Sequence, residues 1–113
     1  MSGTVTSDLL RGHTDTIILQ ILSGRDRYGY EIYKAIIEKT GERFELKEAT
    51  LYACFKRLET DRCITSYWGD ETQGGRRKYY RITDEGRARL IRNKSDWRFA
   101  ANIISGLLEE DFS

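Results

Sequence analysis

The sequence contains no proline, two cysteines, one histidine and one methionine in 113 residues. Without proline no turn is set by a locked φ and no helix is interrupted by a missing donor, so Gly, Asp and Asn must make the turns. Cys54 and Cys63 form no CxxC pair and stand near no histidine cluster. Neither a disulfide framework nor a metal site is indicated, and reduced thiols are expected. The single histidine, His13, lies in an apolar helical stretch with no nucleophile or acid arranged around it, which leaves the catalytic inventory bare. Gly74-Gly75-Arg76-Arg77 lacks the lysine and hydroxyl of a phosphate-binding loop, and no glycine-rich nucleotide fingerprint follows a strand. The chain is therefore read as a non-enzyme without a cofactor. No apolar run approaches the roughly 20 residues of a membrane span, and the first residues, MSGTVTSD, have neither a basic nor an apolar signal region. A soluble, cytoplasmic protein with no membrane partner is expected.

Charge of one sign is also lacking overall: 19 Lys and Arg stand against 18 Asp and Glu. Distribution is more informative than the sum. Residues 47–82 hold eight basic side chains and five acidic ones, and the run from Arg76 to Arg81 carries four positive charges without an acid. A charge run is most often a solvated face, but clustering beside a reading helix is the footprint of nucleic acid binding. Such a helix is present in KEATLYACFKRLETD, residues 47–61. At 100° per residue Leu51, Cys54, Phe55 and Leu58 share one arc and should face a core. The opposite arc holds Ala49, Tyr52, Ala53, Lys56 and Thr60, with two small residues, one positive charge and no carboxylate. A surface of that kind can approach a DNA major groove closely.

Taken in order, residues 8–23 place Leu9, Leu10, Ile17, Ile18, Ile21 and Leu22 at helical spacing, with Ser7 as N-cap and Gly12 as an interruption. A second helix begins near Tyr28-Gly29-Tyr30, buries Ile32, Ala35 and Ile36, and closes at Thr40-Gly41. Phe44 and Leu46 alternate with charge as a short strand would, leading into the reading helix. Residues 63–68 and 77–82 read as two strands joined by GDETQGGR, a basic hairpin. If Ile64 and Ile82 point inward, Trp68 and Tyr80 do too, while Tyr67, Tyr79, Arg77 and Arg81 share the other face.

Thr83 caps a final helix with Asp84 and Glu85 in its first turn. Leu90, Trp97, Ala101, Ile104 and Leu108 follow the alternating spacing of a helix–helix seam that Lys94 interrupts. A helix of about 25 residues is about 37 Å long and outreaches a small domain. A homodimer follows, with this helix crossing the other subunit near its first helix, so Leu9 and Leu10 join the seam residues as interface candidates. The whole is a mainly α, α+β fold: a winged helix-turn-helix with a two-stranded wing over residues 1–82 and a long dimerisation helix over residues 83–113.

The strings LLRGHTDTIILQILS, YGYEIYKAI, LKEATLYACFKRLE and GGRRKYYRITDEGR, in this order and spacing, resemble the PadR family of bacterial winged-helix transcription regulators. The single-helix tail resembles the smaller PadR subgroup. The resemblance implies a dimeric, ligand-responsive repressor on a palindromic operator. It places Lys47, Thr50, Tyr52 and Lys56 on the recognition helix and Arg76, Arg77 and Lys78 on the wing. It also implies that Trp97 stands where a small aromatic effector binds in some multidrug-sensing members. Two positions depart from the family pattern: Ala53 stands where many members have Pro, and Arg62 where many have Gly.

With double-stranded DNA as partner, Lys47, Lys56, Arg76, Arg77 and Lys78 would neutralise phosphates, while Ala49, Thr50, Tyr52 and Ala53 would touch base edges or thymine methyls. The rival is a winged helix serving as a protein-interaction module. That use calls for an apolar or acidic outer face on the third helix, whereas here the face carries Lys56, Tyr52 and two alanines.

Overall fold

The computed structural model describes residues 3–44, 46–70 and 76–113. The wing tip expected at Gly74-Gly75 lies outside them. A one-turn helix α1 (Ser7–Leu10) precedes α2 (Thr14–Leu22). The two are separate because Gly12 adopts φ +87°, a left-handed backbone that ends one helix before the next starts. The N-terminal cap of α1 falls one residue earlier than expected: the Thr6 hydroxyl accepts from the Leu9 amide at 3.4 Å.

Strand β1 (Arg27–Tyr28) leads directly into α3 (Gly29–Thr40), which ends on Gly41 at φ +60°. The left-handed cap is the glycine the spacing indicated. Phe44 and Leu46 lie in no strand, and Glu45 between them lies outside the described residues; a parallel bridge joins Phe44 to Val5, and Phe44 and Leu46 pack on the core half-buried. Helix α4 (Glu48–Thr60) follows, then β2 (Ile64–Trp68), β3 (Lys78–Ile82) and the 26-residue α5 (Asp84–Glu109).

The wing is the expected hairpin of β2 and β3, and β1 adds to its β3 edge to make a three-stranded antiparallel sheet in the order β1-β3-β2. β1 was not legible in the sequence because a two-residue strand carries no period. Its partner β3 pairs Tyr79 with Tyr28 on one side and with Tyr67 on the other. One sheet face delivers Ile64, Tyr80 and Ile82 to a core shared with Ile18, Leu19 and Leu22 of α2, Ile32 and Ile36 of α3, and Leu51, Phe55 and Leu58 of α4. Trp68 lies on that same face as alternation requires, yet it is exposed, because β2 outruns the core by a residue pair.

The turn from α4 into β2 resolves the Arg62 departure. Arg62 adopts φ +62°, its amide donates to the Glu59 carbonyl, and the Cys63 amide donates to Leu58 at 2.9 Å. These two bonds make the helix-closing motif that favours glycine at the left-handed position. The turn forms with arginine because Thr83 locks it from the other side, donating its hydroxyl to the Arg62 carbonyl at 2.7 Å. The same Thr83 oxygen accepts from the Gly86 amide at 3.0 Å, capping α5. Gly86 is needed there: a Cβ would come within 2.1 Å of the Cys63 carbonyl oxygen. The left-handed strain at Arg62 predicts that Arg62→Gly raises the free energy of unfolding by about 1 kcal/mol. Urea denaturation measures this, and an unchanged or lower stability would remove the strain from the account.

Candidate nucleic-acid interface

Helix α4 divides as its spacing requires. Leu51, Cys54, Phe55 and Leu58 are buried, while Ala49, Thr50, Tyr52, Ala53, Lys56 and Thr60 are exposed. Lys47 occupies the N-cap with extended backbone and an exposed side chain. The inner residues fix the rotation of the helix about its axis, so the outer face is presented without freedom to roll.

An ion pair pins α4 to α2. Arg57 grips Asp15 with two donors, Nη2 to Oδ1 at 2.5 Å and Nε to Oδ2 at 3.2 Å, a two-pronged geometry that fixes orientation as well as distance. Sequence spacing gave no sign of this pair, which spans two helices. Arg57 is thereby occupied and stands apart from the outward basic set.

Tyr52 is 43% exposed, and its ring meets the Phe55 ring edge-on at 5.2 Å. Its hydroxyl lies over the first turn of α3, where a Cβ on Gly29 would be only 2.7 Å away. Gly29 therefore makes the space that lets Tyr52 lie between α3 and α4. The partial burial raises the Tyr52 pKa above its ordinary value. Tyr52 is thus partly held against α3 and is not freely extended. The missed signal was the glycine flanked by two tyrosines.

The wing stands beside the C-terminal half of α4. Glu59 accepts from the Ser66 hydroxyl at 2.7 Å and pairs with the Lys78 ammonium at 3.6 Å. Lys78 is exposed, but part of its charge answers Glu59 inside the domain. Arg81 is similarly held: its Nε donates to Asp26 at 3.0 Å, and the Tyr67 hydroxyl donates to the same carboxylate oxygen at 2.7 Å. That bond raises the Tyr67 pKa. Arg76 and Arg77 are exposed and carry no ion pair to a carboxylate among the described residues. Arg76 and Arg77 on the wing, with Lys47 and Lys56 on α4, make the outward positive charge.

Of the residues expected at an intermolecular seam, two are taken up inside the chain. Leu90 is 7% exposed and belongs to the core, and Leu10 is 6% exposed. Within one subunit both are almost wholly covered, so they have little surface to offer a partner. The interruption at Lys94 has the same origin. Along this half of α5, Asn93 donates to the Thr16 hydroxyl and Lys94 to the Gln20 side-chain carbonyl, each at 2.9 Å, so α5 is docked on α2 up to that point. Leu9, Ile104 and Leu108 are exposed, Ala101 is half-buried, and Trp97 is 54% exposed. Trp97 borders an apolar cavity of about 430 Å³ with Val5, Leu9, Leu10, Ile17 and Phe44.

The fold and this surface define a winged-helix DNA-binding protein. The model of the transcriptional regulator PadR-like family matches residues 18–92, and the chain belongs to that family. It is a DNA-binding transcription regulator and not an enzyme. A protein of Lysinibacillus sphaericus described as "Uncharacterized protein X" is 49% identical over 93% of this chain and 96% of its own length. The structure of a transcriptional regulator from Clostridium thermocellum superposes with a TM-score of 0.84 at 46% identity, covering 91% of this chain and 97% of that one. A PadR family transcription regulator from Clostridium difficile gives 0.75 at 43% identity, covering 86% and 99%. Among the described residues no helix is long and apolar enough to cross a membrane.

Burial, the largest influence on both thiols, pushes the Cys54 and Cys63 pKa values up. Only the thiolate is nucleophilic, so both cysteines should resist a disulfide reagent at neutral pH in the folded protein and react fully in denaturant. Rapid modification of either thiol in the native state would contradict this and reopen a redox role.

Proposed function

We propose that the protein is a homodimeric repressor that binds a palindromic operator and releases it when a small molecule binds. The observation that carries the DNA contact is the outer face of α4. Ala49, Tyr52, Ala53 and Lys56 are all exposed without a carboxylate among them, and Arg76 and Arg77, exposed and without an ion pair among the described residues, stand on the neighbouring hairpin. In this reading Lys47, Lys56, Arg76, Arg77 and, more weakly, Lys78 hold phosphates. Thr50, Tyr52 and Ala53 read base edges.

Dimerisation rests on the projecting half of α5. At 100° per residue, Trp97, Ala101, Ile104 and Leu108 flank one another, and Leu107, Ile103 and Phe99 extend the apolar arc to about 200°. Ile103 through Leu108 are more than half exposed at each of their large apolar positions. One neighbouring helix covers an arc of about 100°, so two partner elements are required, which a second α5 and a second first-helix region supply. Residues 1–82 are then the DNA-binding unit and residues 83–113 the dimerising one. Two-fold symmetry sets the reading helices about 34 Å apart, one turn of duplex, and matches a palindrome.

The effector reading rests on the cavity beside Trp97, whose volume and apolar walls suit a flat aromatic molecule. A ligand there touches both α5 and the first-helix region, so it would bias the angle between subunits and with it the operator spacing. Trp97 serves the interface when the site is empty. DNA as the partner implies a cytoplasmic location.

Binding to the protein's own upstream DNA, followed by fluorescence anisotropy across a salt series, tests the reading. Arg76→Ala with Arg77→Ala should weaken binding to every duplex and flatten the salt dependence by about one unit of slope per lost phosphate contact. An unaltered slope would take the wing out of the interface. Tyr52→Ala should reduce operator affinity by about 1–3 kcal/mol more than affinity for unrelated DNA; equal losses on both would show that Tyr52 reads no base.

A further inference from the structure

We propose that Trp68 and Tyr28 are positioning residues for DNA binding, each ring holding one wing guanidinium on its own face of the hairpin. The inference rests on the DNA-binding reading above. The Arg76 guanidinium carbon lies 5.3 Å from the centre of the Trp68 ring, and that of Arg77 lies 4.6 Å from the Tyr28 ring. Strand alternation puts the two pairs on opposite faces. Trp68 pairs with Lys78 and shares the face of Ile64 and Tyr80, while Tyr28 shares the face of Tyr79 and Tyr67. Because β2 outruns the core at Trp68, its exposed ring is left open to Arg76.

Tyr28 is itself held. Three tyrosines occupy one register row across the sheet: Tyr28 meets Tyr79 edge-on at 5.6 Å, and Tyr79 stacks on Tyr67 at 5.6 Å. The row is anchored at its far end, where the Tyr67 hydroxyl donates to Asp26 and the Arg81 guanidinium covers the Tyr67 ring at 5.1 Å. At its near end Tyr28 is the N-cap residue of α3 and is paired in β1. Arg77 therefore rests on a ring that is fixed to the helix-turn-helix itself.

The chemistry favours this use of the rings. An arginine side chain loses much rotamer freedom when it is ordered on a phosphate. Stacking its flat face beforehand restrains the guanidinium while its N–H edge stays open to an acceptor. Lys78 and Arg81 of the same strand also lie over rings, Tyr80 at 5.7 Å and Tyr67 at 5.1 Å, but each pairs in addition with a carboxylate, Glu59 and Asp26. The basic hairpin thus divides into two cations whose charge is answered by a carboxylate inside the domain and two that, among the described residues, are held by rings without an ion pair.

Anisotropy of a labelled random-sequence duplex of about 30 base pairs, about three turns, tests the proposal with the full chain. Trp68→Leu and Tyr28→Leu should each weaken binding about two- to fivefold, the size of an exposed cation–π contact. Tyr28→Phe, which keeps the ring, should bind like the unmodified protein. Arg76→Lys and Arg77→Lys keep the charge but not the plane and should lose the same factor. Trp68→Leu should cost nothing further in an Arg76→Ala background. Trp68 is exposed, so its variant decides the matter even if Tyr28→Leu melts early. Lysine variants that bind like the unmodified protein, or a Trp68→Leu loss undiminished in the Arg76→Ala background, would overturn it. Failure of the unmodified protein to bind any duplex would instead count against the DNA-binding reading.

Discussion

The burial of four side chains on α4 constrains everything else. Leu51, Cys54, Phe55 and Leu58 enter the core between α2, α3 and the sheet, and this contact decides which residues remain outside. Truncating a core residue of this kind costs about 2–5 kcal/mol, far more than any surface ion pair contributes. The Arg57–Asp15 pair and the Glu59 contacts to Ser66 and Lys78 then refine the placement of α4 against α2 and the wing. A reading helix must keep its rotation when it meets DNA, and here that rotation is set by packing before any ligand arrives.

Patterns with a long period were legible in the sequence. The inner and outer arcs of α4, the glycine that closes α3, the Thr83 cap and the length of α5 all follow from spacing and cap chemistry, and the structure has each of them. Features that depend on contacts between distant segments were not legible. β1 is two residues long, and Asp26 reaches Tyr67 and Arg81 across the fold. Leu90 fits a seam by spacing, but its depth in the core depends on how α5 docks on α2. Nor does the list of basic residues reveal which cations are already paired: Lys78 counted with Arg76 and Arg77 until Glu59 was placed beside it.

The tail shows the converse relation between sequence and environment. Its apolar side chains are plain in the sequence, and one subunit leaves them uncovered: the chain extends 65 Å along its longest axis, and its radius of gyration is 16.4 Å. A compact domain of this length would have a radius near 13 Å. The difference comes from the half of α5 beyond Lys94. The docked half of the helix holds the projecting half rigidly, so a second subunit joined there would transmit its orientation to the winged helix.

Amide chemical-shift mapping during titration with duplex DNA tests the central claim most directly, because it reads the contact surface residue by residue. The account requires the largest changes in residues 47–56 and 76–81, with residues 95–109 of α5 little affected. Changes concentrated in α5, with the outer face of α4 silent, would contradict it.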